Sequence, residues 1–426
     1  MNNTIKLAVA SALLAAASSA SAAGGIVAGD WTLDIGGVVN AYYTTTKQSG
    51  DFAGAAPGGS VLGGDNATLR NKEANITTGL LPNYLAVSGK TRQNDLDVAF
   101  TISINPGAST TRSGIQSSNQ ENRQAFVTFG DASWGSIKLG KDLGIYASDA
   151  ILNDMTLLGV GSGAGMLAGN TTTLGRIGTG FMYADWKSQV AYSSPNLNGF
   201  QFTAGVTQAW NAIAAGATNQ NDLDAVGSDA APNPNGAFAS AVSTGRGGNQ
   251  PAFEAKVAYS FAGDVSGKVW ASGLSQKVED LTFGGVAATN TSATASAWDL
   301  GANVNMAGFG LTGYYGEGRG TGTTVQLRDG FDQEGNKRKS EDWYLQATYA
   351  LPGVATKLGV SYGESQLKGT TDDAFDKYQN EMWTAGVYHP ITKHLNLVAE
   401  YSEVKTEIDA STGKSKTMSL GAILFF

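Results

Sequence analysis

The chain ends in KTMSLGAILFF, Lys416 to Phe426, and the reading of this stretch decides the fold. In an extended chain successive side chains point to opposite faces. Met418, Leu420, Ala422, Leu424 and Phe426 therefore share one face, and Ser419 and Gly421 share the other. Ile423 and Phe425 make that second face apolar near the terminus. Period-2 alternation running to a terminal aromatic, behind an export leader, points to a β-barrel in a membrane.

The same pattern recurs upstream. Trp31, Leu33, Ile35, Val39, Ala41 and Tyr43 alternate with Thr32, Asp34 and Asn40. Leu96, Val98, Phe100, Ile102 and Ile104 oppose Asp95, Asp97, Thr101 and Ser103. Phe253, Ala255, Val257, Tyr259 and Phe261 oppose Glu254, Lys256 and Ser260. Trp298 to Met306, Trp343 to Tyr349, Leu358 to Tyr362 and Leu395 to Tyr401 repeat it. Segments of roughly ten residues suit a tilted membrane strand, and terminal Trp and Tyr suit interfacial girdles. Short connectors (262–266, 307–308, 351–353, 390–394) alternate with long ones (46–76, 106–121, 143–175, 211–251, 318–341, 368–379). Alternation alone fits a β-sandwich equally, since both folds bury one parity. One-sided loop lengths and the terminal phenylalanine favour the barrel.

Residues 1–22 read as a signal peptide: Lys6, then the apolar run Leu7 to Ala17, then the small-residue site Ala20-Ser21-Ala22. The mature barrel is expected over 23–426. That apolar run is too short to cross a bilayer as a helix. Zero cysteines exclude disulfides, thiolate metal sites and cysteine nucleophiles. Charged residues make up 15% of the chain, against the ~25% of ordinary soluble domains. The formal charge of −8 argues against a nucleic-acid partner.

Four stretches resemble the general diffusion porins of Gram-negative bacteria, the trimeric 16-stranded family, and they occur in the family's order. They are LDIGGVVNAYY (33–43), NRQAFVTFGDASWGSIKLGKDLGIYASDAILNDMTLLGVG (122–161), LGRIGTGFMYADWKSQVAYSSPNLNGFQFTAGV (174–206), and GVYHPITKHLNLVAEYSEV (386–404) onward to Phe426. The resemblance implies an all-β transmembrane antiparallel barrel of 16 strands, with short periplasmic turns, long external loops and one loop folded into the pore. It also implies a constriction in which basic wall residues face acids on that loop. Matched by position, Arg123, Lys141 and Arg176 fall on basic wall positions, Asp154 falls on a loop acid, and Asp149 lies close by. Tyr84 and Gly37 stand where many members carry further basic residues, and Leu158 where they carry a second acid. The eyelet is therefore expected to be less charged than the family's. The competing readings are an ordinary salt bridge for the arginines and a solvated or capping role for Asp149.

Catalytic chemistry finds little support. His389 and His394 bracket the turn at Pro390 with no serine–acid set nearby, and read as surface turn residues. The glycine-rich GSGAG (161–165) and GEGRGTG (316–322) lack a lysine–serine phosphate cradle. Asp372, Asp373 and Asp376 read as solvated loop charge. The expectation is a non-enzymatic outer-membrane channel for passive diffusion of small hydrophilic solutes and ions, with no cofactor or metal. Its expected partners are outer-membrane lipid, lipopolysaccharide and two further copies. Net acidity and a thinned basic wall predict weak cation preference. A substrate-specific porin with its own binding site, or a surface β-sandwich adhesin, are the other readings.

Overall fold

The alternating segments condense into one antiparallel sheet that closes on itself. The computed structural model describes residues 25–50, 61–62, 72–109, 120–163, 172–214, 240–245 and 250–426. The expected leader, 1–22, lies outside these residues, as do parts of the expected external loops.

Sixteen strands form the wall. The first half comprises β1 (Trp31–Gly50), β2 in two segments (Lys72–Thr77 and Tyr84–Gln93), β3 (Leu96–Pro106), β4 (Ala125–Asp131), β5 (Gly135–Leu143), β6 (Trp186–Ser193), β7 (Phe200–Thr207) and β8 (Ala252–Phe261). The second comprises β9 (Val265–Phe283), β10 (Ser292–Met306), β11 (Phe309–Arg319), β12 (Lys339–Ala350), β13 (Lys357–Lys368), β14 (Lys377–Pro390), β15 (Leu395–Ile408) and β16 (Ser411–Phe425). Each strand pairs with its sequence neighbour. β16 then pairs with β1 from Val38↔Phe425 to Gly50↔Gly413. Gly37 and Phe426 exchange two further backbone bonds at 2.9 and 3.1 Å, so the terminal aromatic sits at the foot of the seam.

Tight turns gather at one end and long loops at the other. The β2–β3 turn is Asn94-Asp95, both at positive φ, which twists with the strands as a two-residue hairpin requires. Ala307-Gly308 does the same between β10 and β11. The outer end holds the long connections, with one exception: β15 and β16 meet through the two residues between Ile408 and Ser411. β1 and β9 run 20 and 19 residues, longer than the membrane needs, so their outer ends project beyond it.

The outward face carries the apolar parity. Val39, Ile102, Phe253, Leu300, Leu345, Val360 and Leu420 are each about half exposed on the isolated chain. Above them an aromatic row crosses six strands. Trp298 packs on Tyr315 (5.7 Å), which lies opposite Trp343; Trp343 packs on Tyr362 (5.5 Å), which lies opposite Trp383; Trp383 packs on Tyr401 (5.1 Å). The row stops there. Its continuation in register is Met418, Thr45 and Ala74.

The inward face is not uniformly polar as the alternation predicts. Val38, Tyr42, Trp270, Tyr344, Met382, Val398 and Ile423 also point inward, and all are buried. The reason is an inward-folded loop that packs against them, described below. A break in β2 at residues 78–83 admits this loop. Asn40 stitches the break: its Nδ2 donates to the Leu81 carbonyl (2.9 Å), and its Oδ1 accepts from the Gly79 N–H (2.8 Å). Asn40→Ala removes both bonds and leaves two buried backbone groups unpaired, a loss of about 2 kcal/mol. Urea unfolding of the refolded barrel should show a lowered midpoint, and an unchanged midpoint would deny Asn40 this role.

A loop pinned across the lumen as the candidate functional site

The connection between β5 and β6 enters the barrel. It carries helix α1 (Ser148–Asn153) and a 3₁₀ turn (Met155–Leu158), then returns past residues 172–185. Such a loop has no strand partners, so its backbone groups must find others. The wall supplies them. Glu254 on β8 accepts the N–H groups of Ile145 and Tyr146, both at 2.8 Å. Glu400 on β15 accepts those of Val160 (2.7 Å) and Gly161 (2.9 Å). Between these two clamps, Gln346 on β12 accepts the Met155 N–H (2.6 Å) and donates to the Asn153 carbonyl (3.0 Å). Tyr344 donates to the Ala150 carbonyl and Tyr42 to the Leu158 carbonyl. Gly159 is required here, because a Cβ on it would lie 2.2 Å from the Glu400 carboxyl carbon.

The five residues singled out from sequence have different fates. Asp149, on α1, faces two wall lysines: Lys256 on β8 at 3.1 Å, and Lys268 on β9. Burial disfavours its charge, but the two lysines outweigh burial and hold the carboxyl below the usual range. Asp154 is buried and caps the 3₁₀ turn, accepting from the N–H (3.0 Å) and hydroxyl of Thr156. Burial pushes its carboxyl above the usual range, with Arg176 opposing only in part.

Arg176 is not on the wall. It lies on the returning arm of the loop, fully buried. There it donates to the carbonyls of Met382 (3.0 Å) and Thr179 (3.3 Å) and to the Ser361 hydroxyl. It therefore fastens the loop to β13 and β14. Arg123, just before β4, is ion-paired to Glu121 at 2.6 Å and lies 5.8 Å from the centre of the Trp186 ring. Lys141 falls on the outward parity. Its register partners Ala125 and Ser188 are both exposed, and its Nζ donates to the Asn122 carbonyl (2.9 Å). The inward lysine of β5 is Lys138, paired with Asp142.

Sequence reasoning missed the clamps. Glu254 and Lys256 were visible as the polar parity of β8, but nothing local marks them as loop partners. Lys187, wholly buried, completes the Glu254 clamp and also donates to Gln326 of the β11–β12 loop. That loop also folds inward: the Thr324 carbonyl accepts from the Tyr183 N–H at 2.9 Å.

The loop fills the lumen on the β8–β15 side and leaves an opening beside β1–β8. There a vestibule of about 470 Å³ is lined by hydroxyls, amides, apolar side chains such as Phe126 and Leu152, and four charges, Asp34, Lys138, Asp142 and Lys256. Hydroxyl pairs such as Ser88–Thr101 (3.0 Å) and Ser193–Thr203 (2.8 Å) wet its wall. This is a water-filled passage narrowed by a loop, and the whole-chain comparison decides its class. Residues 8–409 match the family model of the Gram-negative porins.

The chain is a Gram-negative porin.

Solved structures agree on the fold. The outer membrane channel DcaP of Acinetobacter baumannii superposes with a TM-score of 0.64 at 16% identity, over 95% of this chain and 100% of that one. The anion-selective porin from Comamonas acidovorans gives 0.55 at 15%, over 93% and 100%. OmpF of Salmonella typhi, in complex with daunomycin, gives 0.54 at 16%, over 93% and 99%. No curated protein matches the sequence significantly. This porin is thus a multi-pass β-barrel of the outer membrane, a channel for passive diffusion of solutes.

Two outcomes test the pinned loop of the porin. Glu400→Ala deletes a carboxyl group that accepts two backbone N–H groups, roughly 2 kcal/mol of anchoring. Single-channel current should become larger and noisier, and a quiet wild-type trace would contradict the clamp. The Asp149 carboxyl is depressed in the folded state, so its ion pairs contribute fully above the ordinary carboxylate value and vanish only as pH falls through the lower one. Conductance should stay level from neutrality to about pH 5, and a step in that window that Asp149→Asn abolishes would contradict the assignment.

Proposed function

We propose that this porin works as a homotrimer, exported by cleavage of residues 1–22, and admits small hydrophilic solutes and ions without catalysing any reaction on them. The observation that carries the reading is the wet vestibule beside a loop clamped at both ends. Charges lining that vestibule balance, two lysines against two aspartates, so ion discrimination is weak. The chain's net acidity tilts it toward cations. Asp149, Asp154 and Arg176 act at the narrow level chiefly by fixing the loop, with Asp149 facing Lys256 and Lys268 as an opposed charge set, while Arg123 stands beside Trp186, paired with Glu121. Lys141, on the outward parity, has no part in that set.

The outward surface supports a trimer. The aromatic row over β10–β15 suits the lipid interface, whereas its continuation through Met418, Thr45 and Ala74 carries no aromatic girdle and leaves this face to a protein contact. The same surface supports a glycolipid partner. Outside the aromatic row, Arg319, Lys339, Lys368 and Lys377 stand directly opposite one another across four strands. Like charges in register repel. Glu317, 3.3 Å from Lys339, relieves part of that repulsion, and phosphate groups of lipopolysaccharide would relieve the rest. The adhesin reading falls with the closed barrel, and a dedicated solute site is taken up below.

Planar-bilayer recording tests the channel. The expected trace shows conductance closing in three equal steps, with a small reversal potential of cation sign across a salt gradient. Clear anion preference would overturn the ion reading. Ala74→Arg should convert the unboiled trimer band to monomer while keeping a folded barrel, and a persisting trimer would remove this face from the contact.

A further inference from the structure

Above the vestibule the passage continues as a slot between the inward loop and the β2–β6 wall. Tyr84, Gln124, Leu143 and Leu152 line both spaces, so the two adjoin. The two differ sharply in character. The vestibule is mixed and carries four charges, whereas the slot is walled by Leu80 and Leu81 from the break in β2, Ile151 and Leu157 from the loop, and Leu174 and Ile177 from its returning arm. Its free space is about 40 Å³. At the 10–15 Å³ one water requires, that holds about three waters.

Opposed charges do not set the chemistry of such a gap. A hydrated ion or sugar must shed water against leucine walls that return no hydrogen bonds, and narrow apolar constrictions tend to dewet. A solute with a flat apolar group gains from the same walls. The polar fittings at the slot are few. Tyr84 is 7% exposed, and its hydroxyl has no hydrogen-bond partner among the described residues. Buried hydroxyls are normally satisfied, so this one is placed to meet a polar atom of a passing solute. Arg123 presents its guanidinium beside the Trp186 ring, but Glu121 at 2.6 Å offsets its charge. The slot therefore selects on apolar shape and only weakly on charge sign.

We propose that this slot is the selectivity element of the channel, favouring solutes that carry a small planar apolar group over equally charged polar solutes of similar size. The proposal deepens the diffusion-channel reading and rests on it. Zwitterionic amino acids are the fitting probes, since they share one charge state and cross lipid slowly.

Purified full-length protein in liposomes would be tested for entry of L-phenylalanine, L-glutamine and L-arabinose. Phenylalanine, although the largest, should enter about tenfold faster than glutamine, the gain expected from partial burial of one aromatic side chain. The double substitution Leu157→Ser with Leu174→Ser should bring that ratio toward one and raise potassium chloride conductance. If heat-modifiable mobility shows that the double variant does not fold, Tyr84→Phe carries the test. It should raise the half-saturating phenylalanine concentration several-fold. Entry of all three solutes in simple order of size would overturn the proposal. So would a folded double variant with the wild-type ratio, or wild-type saturation in Tyr84→Phe. Entry of none of them, with no ionic current, would defeat the channel reading itself.

Discussion

Backbone satisfaction at the β1–β16 seam is the constraint from which the rest follows. In hydrocarbon no water is available to an open strand edge, and each unpaired group costs several kcal/mol. A sixteen-strand sheet must therefore return to its start. Here the first and last strands pair over thirteen consecutive positions, finishing with Phe426 bonded to Gly37. Closure fixes the parity of every strand, because a slip of one residue would exchange the lipid and lumen faces.

Closure also creates an interior wide enough to need furnishing. The β5–β6 loop supplies it, and the wall treats this loop as it treats a strand, by satisfying its backbone. Glu254 and Glu400 each collect two adjacent N–H groups from opposite ends of the loop. Carboxyl groups suit this task, since one oxygen with two lone pairs can accept two neighbouring N–H groups. With both ends held, Ile151 and Leu157 of the loop face the wall at β2–β6, and Asp149 faces Lys256 and Lys268. One arrangement thus yields a charged, mixed vestibule and, adjoining it, an apolar slot. Hydrophilic solutes enter the first, and those with a small apolar group pass the second more readily than those without one.

The wall was legible in the sequence because its cause is local. Alternation at Phe253–Phe261 and Trp298–Met306 names the lipid face without any knowledge of neighbours. Loop lengths then orient the ends. The lumen was less legible. Val38, Tyr42 and Ile423 break the polar parity, and they do so because a loop more than a hundred residues away in sequence covers them. Lys141 shows the limit of reading by family position. It shares its parity with Leu139, a lipid-facing residue, and that alternation was the better guide to where its side chain points. Arg176 was read as a wall residue because the match is to a sequence position, while its depth on the returning arm is set by contacts with Ser361 and Met382. Asp149 was found, but its partners were not, since Lys256 and Lys268 lie more than a hundred residues downstream.

The account depends most directly on the seam, and the chain's lack of cysteine makes the seam measurable. Thr46 and Thr417 face each other across it, with their hydroxyls 2.9 Å apart. Directly opposed antiparallel residues lie within disulfide reach. Oxidised Thr46→Cys/Thr417→Cys protein should form an intramolecular disulfide in nearly every folded molecule, seen as altered mobility that a reductant reverses. Thr46→Cys/Ser419→Cys, displaced by one pair, should cross-link poorly. Failure of the first pair, or equal efficiency in both, would contradict a closed barrel in this register.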